Sequence, residues 1–324
     1  MAFMRNWRHN RGVGGPVPLV GDDIPELNRL FSDSFTDRYR KDGLVGVRVP
    51  HLNPRVWMYA IADAGRGALA WRDDDGRMVA FNLVHSSGAE GWMGPLAVDS
   101  EYQGAGLGKA VVTAGLEWLK ARQTRVIGLE TMPRTVENVG FYSGLGFVPA
   151  NLTITLTLDT TQPSRVPMVL GALPDGEREE MIRRCADLLG SIAPGYDFTR
   201  EIALTAELEL GETVLLTAGG ELRAFALCHT APLADGRARD ELRVLKLVAR
   251  DEASLDALLP ELEAMARRAG TRRVAIRVQG AYSGAYRLLI RRGARVRWTD
   301  LRMTAFGHAE MLPAEGIVFS NWEI

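Results

Sequence analysis

The sequence predicts an α/β chain, of the α+β mixed-sheet kind, made of two tandem domains built to one plan. Three observations predict it. The same order of elements is read twice: hairpin, strand, long helix, strand, short helix, strand. The spacing also repeats, with 28 residues from Val98 to Val126 and 26 from Val248 to Val274. A polar, Pro-containing stretch, TTQPSRVP at 160–167, separates the two copies. A chain of 324 residues suits two domains. Repetition on this scale means homologous domains and not a solenoid.

Each element has its own signal. In the first copy, GALAWRDDDGRMVAFNLV from residue 67 places two apolar runs around Asp73-Asp74-Asp75-Gly76, a hairpin signature. GWMGPLAV is a third strand. A glycine-rich turn, EYQGAGLG, follows. Leu107, Val111, Val112, Leu116 and Leu119 then recur at helical spacing. RVIGLETM is a buried strand. A short helix starts near Val136 and is closed by Gly144 or Gly146, and LTITLTL alternates as a strand. In the second copy, ETVLLTAGGELRAFALCHT is a hairpin about Gly219-Gly220 and ELRVLKLVA is a strand. DEASLDALLPELEAMARRA is a helix with Asp251 or Ser254 as cap. RRVAIRVQG is a strand, a short helix ends at Gly293, and RVRWTDLRMT is the last alternating strand.

Composition excludes several classes. The net charge is −1, so no global field draws the chain to nucleic acid. Lysine occurs only at Lys41, Lys109, Lys120 and Lys246, and the other basic residues are arginine. Arg287, Arg291 and Arg292 make a basic helix face without interleaved aromatics, which reads as a solvated face and not a nucleic-acid platform. Cys185 and Cys228 lie in apolar contexts with no Cys/His ligand spacing, so neither a disulfide framework nor a metal site is expected. No 18-residue apolar run or leader-like apolar segment occurs, and a cytoplasmic, non-membrane protein is expected.

A strand that runs through a glycine-rich turn into a helix is a phosphate cradle. The amides of the turn and first helical turn lack internal acceptors, and the helix dipole favours an anion in front of them. A Walker loop is excluded because Gln103 and Ala110 stand where it needs Gly and Ser/Thr. A dinucleotide fingerprint is excluded because Lys109 stands where it needs its third glycine. The spacing that remains is Gln103-Gly104-Ala105-Gly106-Leu107-Gly108.

LAVDSEYQGAGLGKAV resembles the acyl-CoA-binding motif of the GNAT superfamily of N-acetyltransferases, and ENVGFYSGLGF resembles that family's second motif. The resemblance covers residues 67–158 well and 17–66 loosely. It implies a twisted, mostly antiparallel sheet in each domain, flanked by helices and splayed between the strands near 94–98 and 125–131. Acetyl-CoA, as co-substrate, would lie in the splay. Its pyrophosphate would rest on Gln103, Gly104, Ala105, Gly106, Leu107, Gly108 and Lys109, and its pantetheine arm would pair with Leu96, Ala97 and Val98. Asn138 matches a position that contacts the arm. Tyr142 matches the tyrosine that donates to the leaving sulfur. Histone-type members carry a glutamate where this chain has Trp92, so the general base is open among Glu130, Glu90, His85 and a water chain.

The resemblance makes residues 17–160 a catalytic domain after a flexible basic tail, 1–16. Residues 165–310 become a degenerate copy. There ARDEASLD replaces the glycine turn, its acids would repel a pyrophosphate, and Leu289 stands in the place of Tyr142. Residues 311–324 are expected to dock as a final strand, in either domain. The implied activity is acyl transfer, usually of acetyl, to the amine of a small molecule by a monomer or homodimer. A protein or peptide acceptor, or a non-catalytic acyl-CoA sensor, is the alternative.

Overall fold

A computed structural model describes residues 12–160 and 166–322. In chain order the first half contains β1 (Val13–Pro18), α1 (Ile24–Lys41), α2 (Pro54–Ala64), β2 (Ala68–Asp73), β3 (Met78–Ser87), β4 (Glu90–Val98), α3 (Leu107–Ala121), β5 (Val126–Thr131), α4 (Val136–Gly144) and β6 (Phe147–Asp159). The second contains α5 (Asp175–Ile192), α6 (Thr199–Glu207), β7 (Gly211–Ala218), β8 (Glu221–His229), β9 (Leu242–Ala249), α7 (Glu252–Arg268), β10 (Arg273–Gln279), α8 (Ser283–Arg291), β11 (Arg295–Ala305) and β12 (Ile317–Ser320). The repeated plan is therefore present, with two helices added ahead of each hairpin. One part of the expected basic tail is ordered structure. Val13 and Gly14 pair with Asp73 and Arg72, because β2 offers an open edge there. Residues 1–11 of that tail, and 161–165 of the break between copies, lie outside the described residues.

Among the described residues the two halves share one sheet of 12 strands, in the order β1-β2-β3-β4-β5-β11-β6-β10-β9-β8-β7, with β12 beside β9. Each half lends its last long strand to the other. β6 pairs with the second half's β10 from Thr153↔Gln279 to Asp159↔Arg273. β11 pairs with the first half's β5 from Thr131↔Leu301 to Gly128↔Thr304. The exchanged strands also pair with one another, Phe147↔Ala305 through Thr157↔Arg295. The hydrogen-bonded sheet does not divide at the sequence break near residue 160.

Both faces of the sheet are covered. In the first half one face packs on α1 and α2 through Phe81, Leu83 and Ala97. The other packs on α3 and α4 through Val84, Met93, Ile127 and Leu129. The second half repeats this, with α5 and α6 over Phe225, Leu227 and Val248 and with α7 and α8 over Val244, Leu247 and Ile276. The α2 and α6 faces meet across the halves, where Tyr59 sits edge-on to His229 at 4.7 Å. By facing, Ala97 corresponds to Val248. The copies are thus offset by one residue from the Val98–Val248 match that spacing suggests, and a one-residue shift in a strand exchanges the two faces.

Each half has a place where neighbouring parallel strands part. β4 pairs with β5 from Glu90↔Val126 to Met93↔Leu129 and no further. An extra residue near Gly94-Pro95 bulges β4 away at this point, and Pro95 has no N–H to give a ladder. β9 pairs with β10 only from Leu242↔Val274 to Val244↔Ile276, and a similar bulge at Leu245 follows. In the second half the gap is filled. β12 lies antiparallel to β9, Ile317↔Ala249 through Ser320↔Lys246. The tail thus docks as a strand, on the second copy.

Candidate active site

The glycine turn is built at the mouth of the first gap. Tyr102 donates its hydroxyl to Asp73 at 2.7 Å and anchors the start of the turn to the β2–β3 hairpin. Gln103 donates its side-chain amide to the Val98 carbonyl at 2.9 Å, which ties the turn to the splayed end of β4. Gly104 and Gly106 take φ of +82° and +90°, a region that side chains rarely allow. None of the amides from Gln103 to Lys109 donates to another described residue. The turn is exposed, so these donors face open space at the N-terminus of α3. Gly108 differs: its φ is not positive, and a Cβ there would meet the Phe141 ring of α4 at 3.4 Å, an ordinary contact.

Along the gap, Leu96 and Val98 turn toward the cluster under α3 and α4, and Ala97 turns toward α1. Asn138 donates weakly to the Thr131 hydroxyl at 3.4 Å, on the β5 side. Tyr142 is buried in the same cluster as Leu96 and Val98, edge-on to Phe147 at 6.2 Å. Burial pushes its phenol up to about 12, and the hydroxyl makes no hydrogen bond to a described residue. It therefore keeps its proton and has no partner that competes for it.

The opposite face of the gap meets the second half in a buried polar layer. Each acid–base candidate of the sequence lies here, already engaged. Glu90 accepts from the Trp92 indole at 2.8 Å and from Ser320 at 2.7 Å. Glu130, with its side chain 15 % exposed, is held by Arg277 and by Arg302 at 3.3 Å, and accepts from Thr153. Burial alone would raise its carboxyl, but the two guanidiniums hold it below the usual range. A carboxylate held so is a structural anion and a weak base. His85 approaches Asp63 through Nδ1 at 2.6 Å and the Gly94 carbonyl through Nε2 at 3.1 Å. Both neighbours are acceptors, so the ring satisfies both only by donating from both nitrogens. Of the three candidates, His85 touches the segment of β4 that parts from β5.

Glu130 gives a test of this layer. Glu130→Gln leaves Arg277 and Arg302 with less compensation and is expected to destabilise the fold by about 3 kcal/mol at neutral pH. A carboxyl lowered by folding stabilises fully above its unfolded value, roughly 4.3, and loses that contribution as pH falls through its lower folded value. The gap in urea midpoint between wild type and variant should therefore narrow on going from pH 7 to pH 3. An equal gap at both would show that charge is not what Glu130 supplies.

Several site residues carry no sequence signal. Asp63 is on α2, far in sequence from His85. Arg277 and Arg302 arrive on the exchanged sheet. Trp322 belongs to the tail, and its ring lies 5.3 Å from His85 at an interplanar angle of 29°. The burial of isolated charged residues in alternating strands, such as Arg277 and Lys246, was the one cue available.

Residues 25–147 match the model of the acetyltransferase (GNAT) family. Over 83 residues the chain is 41% identical to a mycothiol acetyltransferase of Stackebrandtia nassauensis, covering 24% of this chain and 27% of that one. Over 100 residues it is 30% identical to a [ribosomal protein bS18]-alanine N-acetyltransferase of Escherichia coli K12, covering 31% of this chain and 66% of that one. The chain thus spans about a quarter and about two thirds of these two relatives. Among solved structures, a tandem GNAT protein from the clavulanic acid biosynthesis pathway superposes with a TM-score of 0.61 at 13% identity, covering 93% of this chain and all of that one. That likeness concerns the fold. No helix among the described residues is long and apolar enough to cross a membrane.

Proposed function

Because residues 25–147 belong to the acetyltransferase (GNAT) family, we propose that the chain transfers an acetyl group from acetyl-CoA to the amine of a small molecule, using the gap between β4 and β5. The observation that carries this reading is the alignment of three features along one groove. They are a run of unbonded amides at 103–109, a strand edge at 94–98 left without a partner, and a protonated phenol with no hydrogen bond. The amides suit the pyrophosphate and Lys109 adds a charge beside it. The free edge of Leu96, Ala97 and Val98 suits the amide-bearing arm, as an added strand would. Asn138 stands on the far wall.

In the reaction the amine nitrogen attacks the thioester carbonyl, a C–N bond forms and the C–S bond breaks. Tyr142 gives its proton to the departing sulfur. The amine's proton passes to Nε2 of His85 in its neutral form, with Nδ1–H donated to Asp63 and Nε2 turned away from the Gly94 carbonyl. Unbonded N–H groups of the bulged strand are available to the oxyanion. The small-molecule acceptor is favoured over a protein because the second half covers the α2 face of the gap. Glu90, Trp92 and His85 are each buried there at 3% exposure or less.

Calorimetry with acetyl-CoA should give a stoichiometry near one per chain. The second half offers ARDEASLD in place of a cradle, and β12 already occupies its gap. Thiol release against a panel of amines should then separate an enzyme from an acyl-CoA sensor. Two equivalent sites per chain would end the assignment to the first gap alone. Tight binding without turnover on any amine would favour the sensor.

A further inference from the structure

The C-terminal segment does more than fill the second gap. After pairing with β9, it is also tied toward β10. Asn321 donates its backbone amide to Leu245 at 3.0 Å and its side chain to the Arg277 carbonyl at 3.3 Å, and it accepts from Gln279 at 3.1 Å. The same segment reaches the first half. Ser320 donates to Glu90 on β4, and Arg302 donates to the Ser320 carbonyl at 3.0 Å. By facing, Lys246 to Ala249 correspond to 95–98, so β12 lies where the proposed co-substrate's arm would lie in the first half. One chain segment thus plays the part of a bound ligand in one copy and touches the proposed catalytic strand of the other.

Trp322 follows at once and is where the two halves meet. Its ring stacks on His85, and the Lys246 ammonium lies 3.2 Å from its centroid. Lys246 is itself buried, donates to Ser320 at 2.9 Å and faces Glu201 at 3.8 Å. The Trp322 indole N–H is buried and finds no acceptor among the described residues. The His85 ring and the Lys246 ammonium against its faces, and no hydrogen bond of its own N–H, hold the indole. The groups that face His85 and this ring are Asp63 from α2, Glu201 from α6, Lys246 from β9 and Glu90 from β4.

We propose that Trp322 is a positioning residue, supplied by the second half through β12, that fixes the plane of the His85 ring and keeps Nδ1 on Asp63. The degenerate copy then serves the active one through its own terminus, and the filled second gap is the anchor that fixes the placement. The proposal rests on the acetyltransferase reading for its consequence in catalysis, but the contact itself is independent of any reaction.

The experiment uses the full chain with 13C-labelled histidine, with the His85 signal assigned by its loss in His85→Gln. Trp322→Ala should move the His85 ring resonance, since an aromatic ring stacked on it is gone, and Trp322→Phe should restore most of the wild-type environment. Acetyl-CoA affinity by calorimetry should stay within about threefold, while turnover at saturating acetyl-CoA falls on the order of tenfold, as misplaced catalytic groups do. Trp322→Leu, matched for apolar bulk, should fall with Ala and not with Phe. If Trp322→Ala loosens the fold, the Leu and Phe pair carries the comparison at equal thermal stability. A His85 resonance and turnover unchanged in both Ala and Leu variants would overturn the proposal. Failure of the wild type to bind or turn over acetyl-CoA would overturn the reaction instead, and the resonance would still decide the contact.

Discussion

Tyr142→Phe is expected to lower acetyl transfer by about 10²–10⁴-fold, the usual contribution of a positioned general acid. The substitution removes one oxygen and keeps the ring, so the contacts with Phe141 at 5.2 Å and Phe147 at 6.2 Å remain. No hydrogen bond to a described residue is lost, and stability should hardly change. The phenol's pKa, pushed up to about 12 by burial, means the donor is protonated at any working pH. Its loss should appear in turnover and leave the affinity for acetyl-CoA intact, because the hydroxyl acts only as the sulfur leaves. Leu289→Ala, at the corresponding place in the second copy, should cost stability and spare the reaction beyond that. Stopped-flow or continuous thiol detection at saturating acetyl-CoA is the measurement. Turnover equal to wild type in Tyr142→Phe would pass the proton donation to water or another group.

Gly106→Asp should remove co-substrate binding almost entirely. The backbone at Gly106 has φ of +90°, and a Cβ there would point into open space at the cradle. Aspartate is ordinarily a good residue at the start of a helix. Here it would bring a negative charge to the place where the pyrophosphate is expected. For wild type, acetyl-CoA at about a hundred times its dissociation constant should protect against heat by roughly 2.7 kcal/mol. The variant should gain none of this. Gly106→Ala separates the two causes, since it shares the backbone strain and lacks the charge. It should keep much of the protection. Equal protection in wild type and Gly106→Asp would put the phosphate site elsewhere.

The turn itself was legible in the sequence because glycine is a local instruction. Gly104 and Gly106 take the backbone angles that only glycine takes readily, and the amides beside them are unbonded for the same local reason. The repeated order of elements was legible because periodicity is local too. What could not be read depends on distant partners. An alternating strand such as LTITLTL says which face is apolar, but not which edge it will join. Nothing in it reveals that β6 pairs with β10 and β11. Glu130 was read as a candidate base for the same reason. The arginines that turn it into a structural anion lie on β10 and β11 and come from the other copy. His85 was singled out as a candidate by its residue type alone. Asp63 and Trp322, which give that histidine its setting, sit on elements whose meeting only the fold determines.

The exchange of β6 and β11 has a consequence for how the molecule is made. When a ribosome has finished the first copy, β5 still lacks the neighbour on its outer edge, since that neighbour is residues 301–304. β6 likewise waits for β10, beginning at Arg273. The first half therefore leaves the tunnel with an unpaired strand edge, the kind of surface that invites pairing with a stranger. Its closing contacts join residues about a third to a half of the chain apart, and contacts of that separation are slow to form. Two copies that look separable in the sequence are expected to mature together, since the ladders of β5 and β6 close only once β11 has been synthesised.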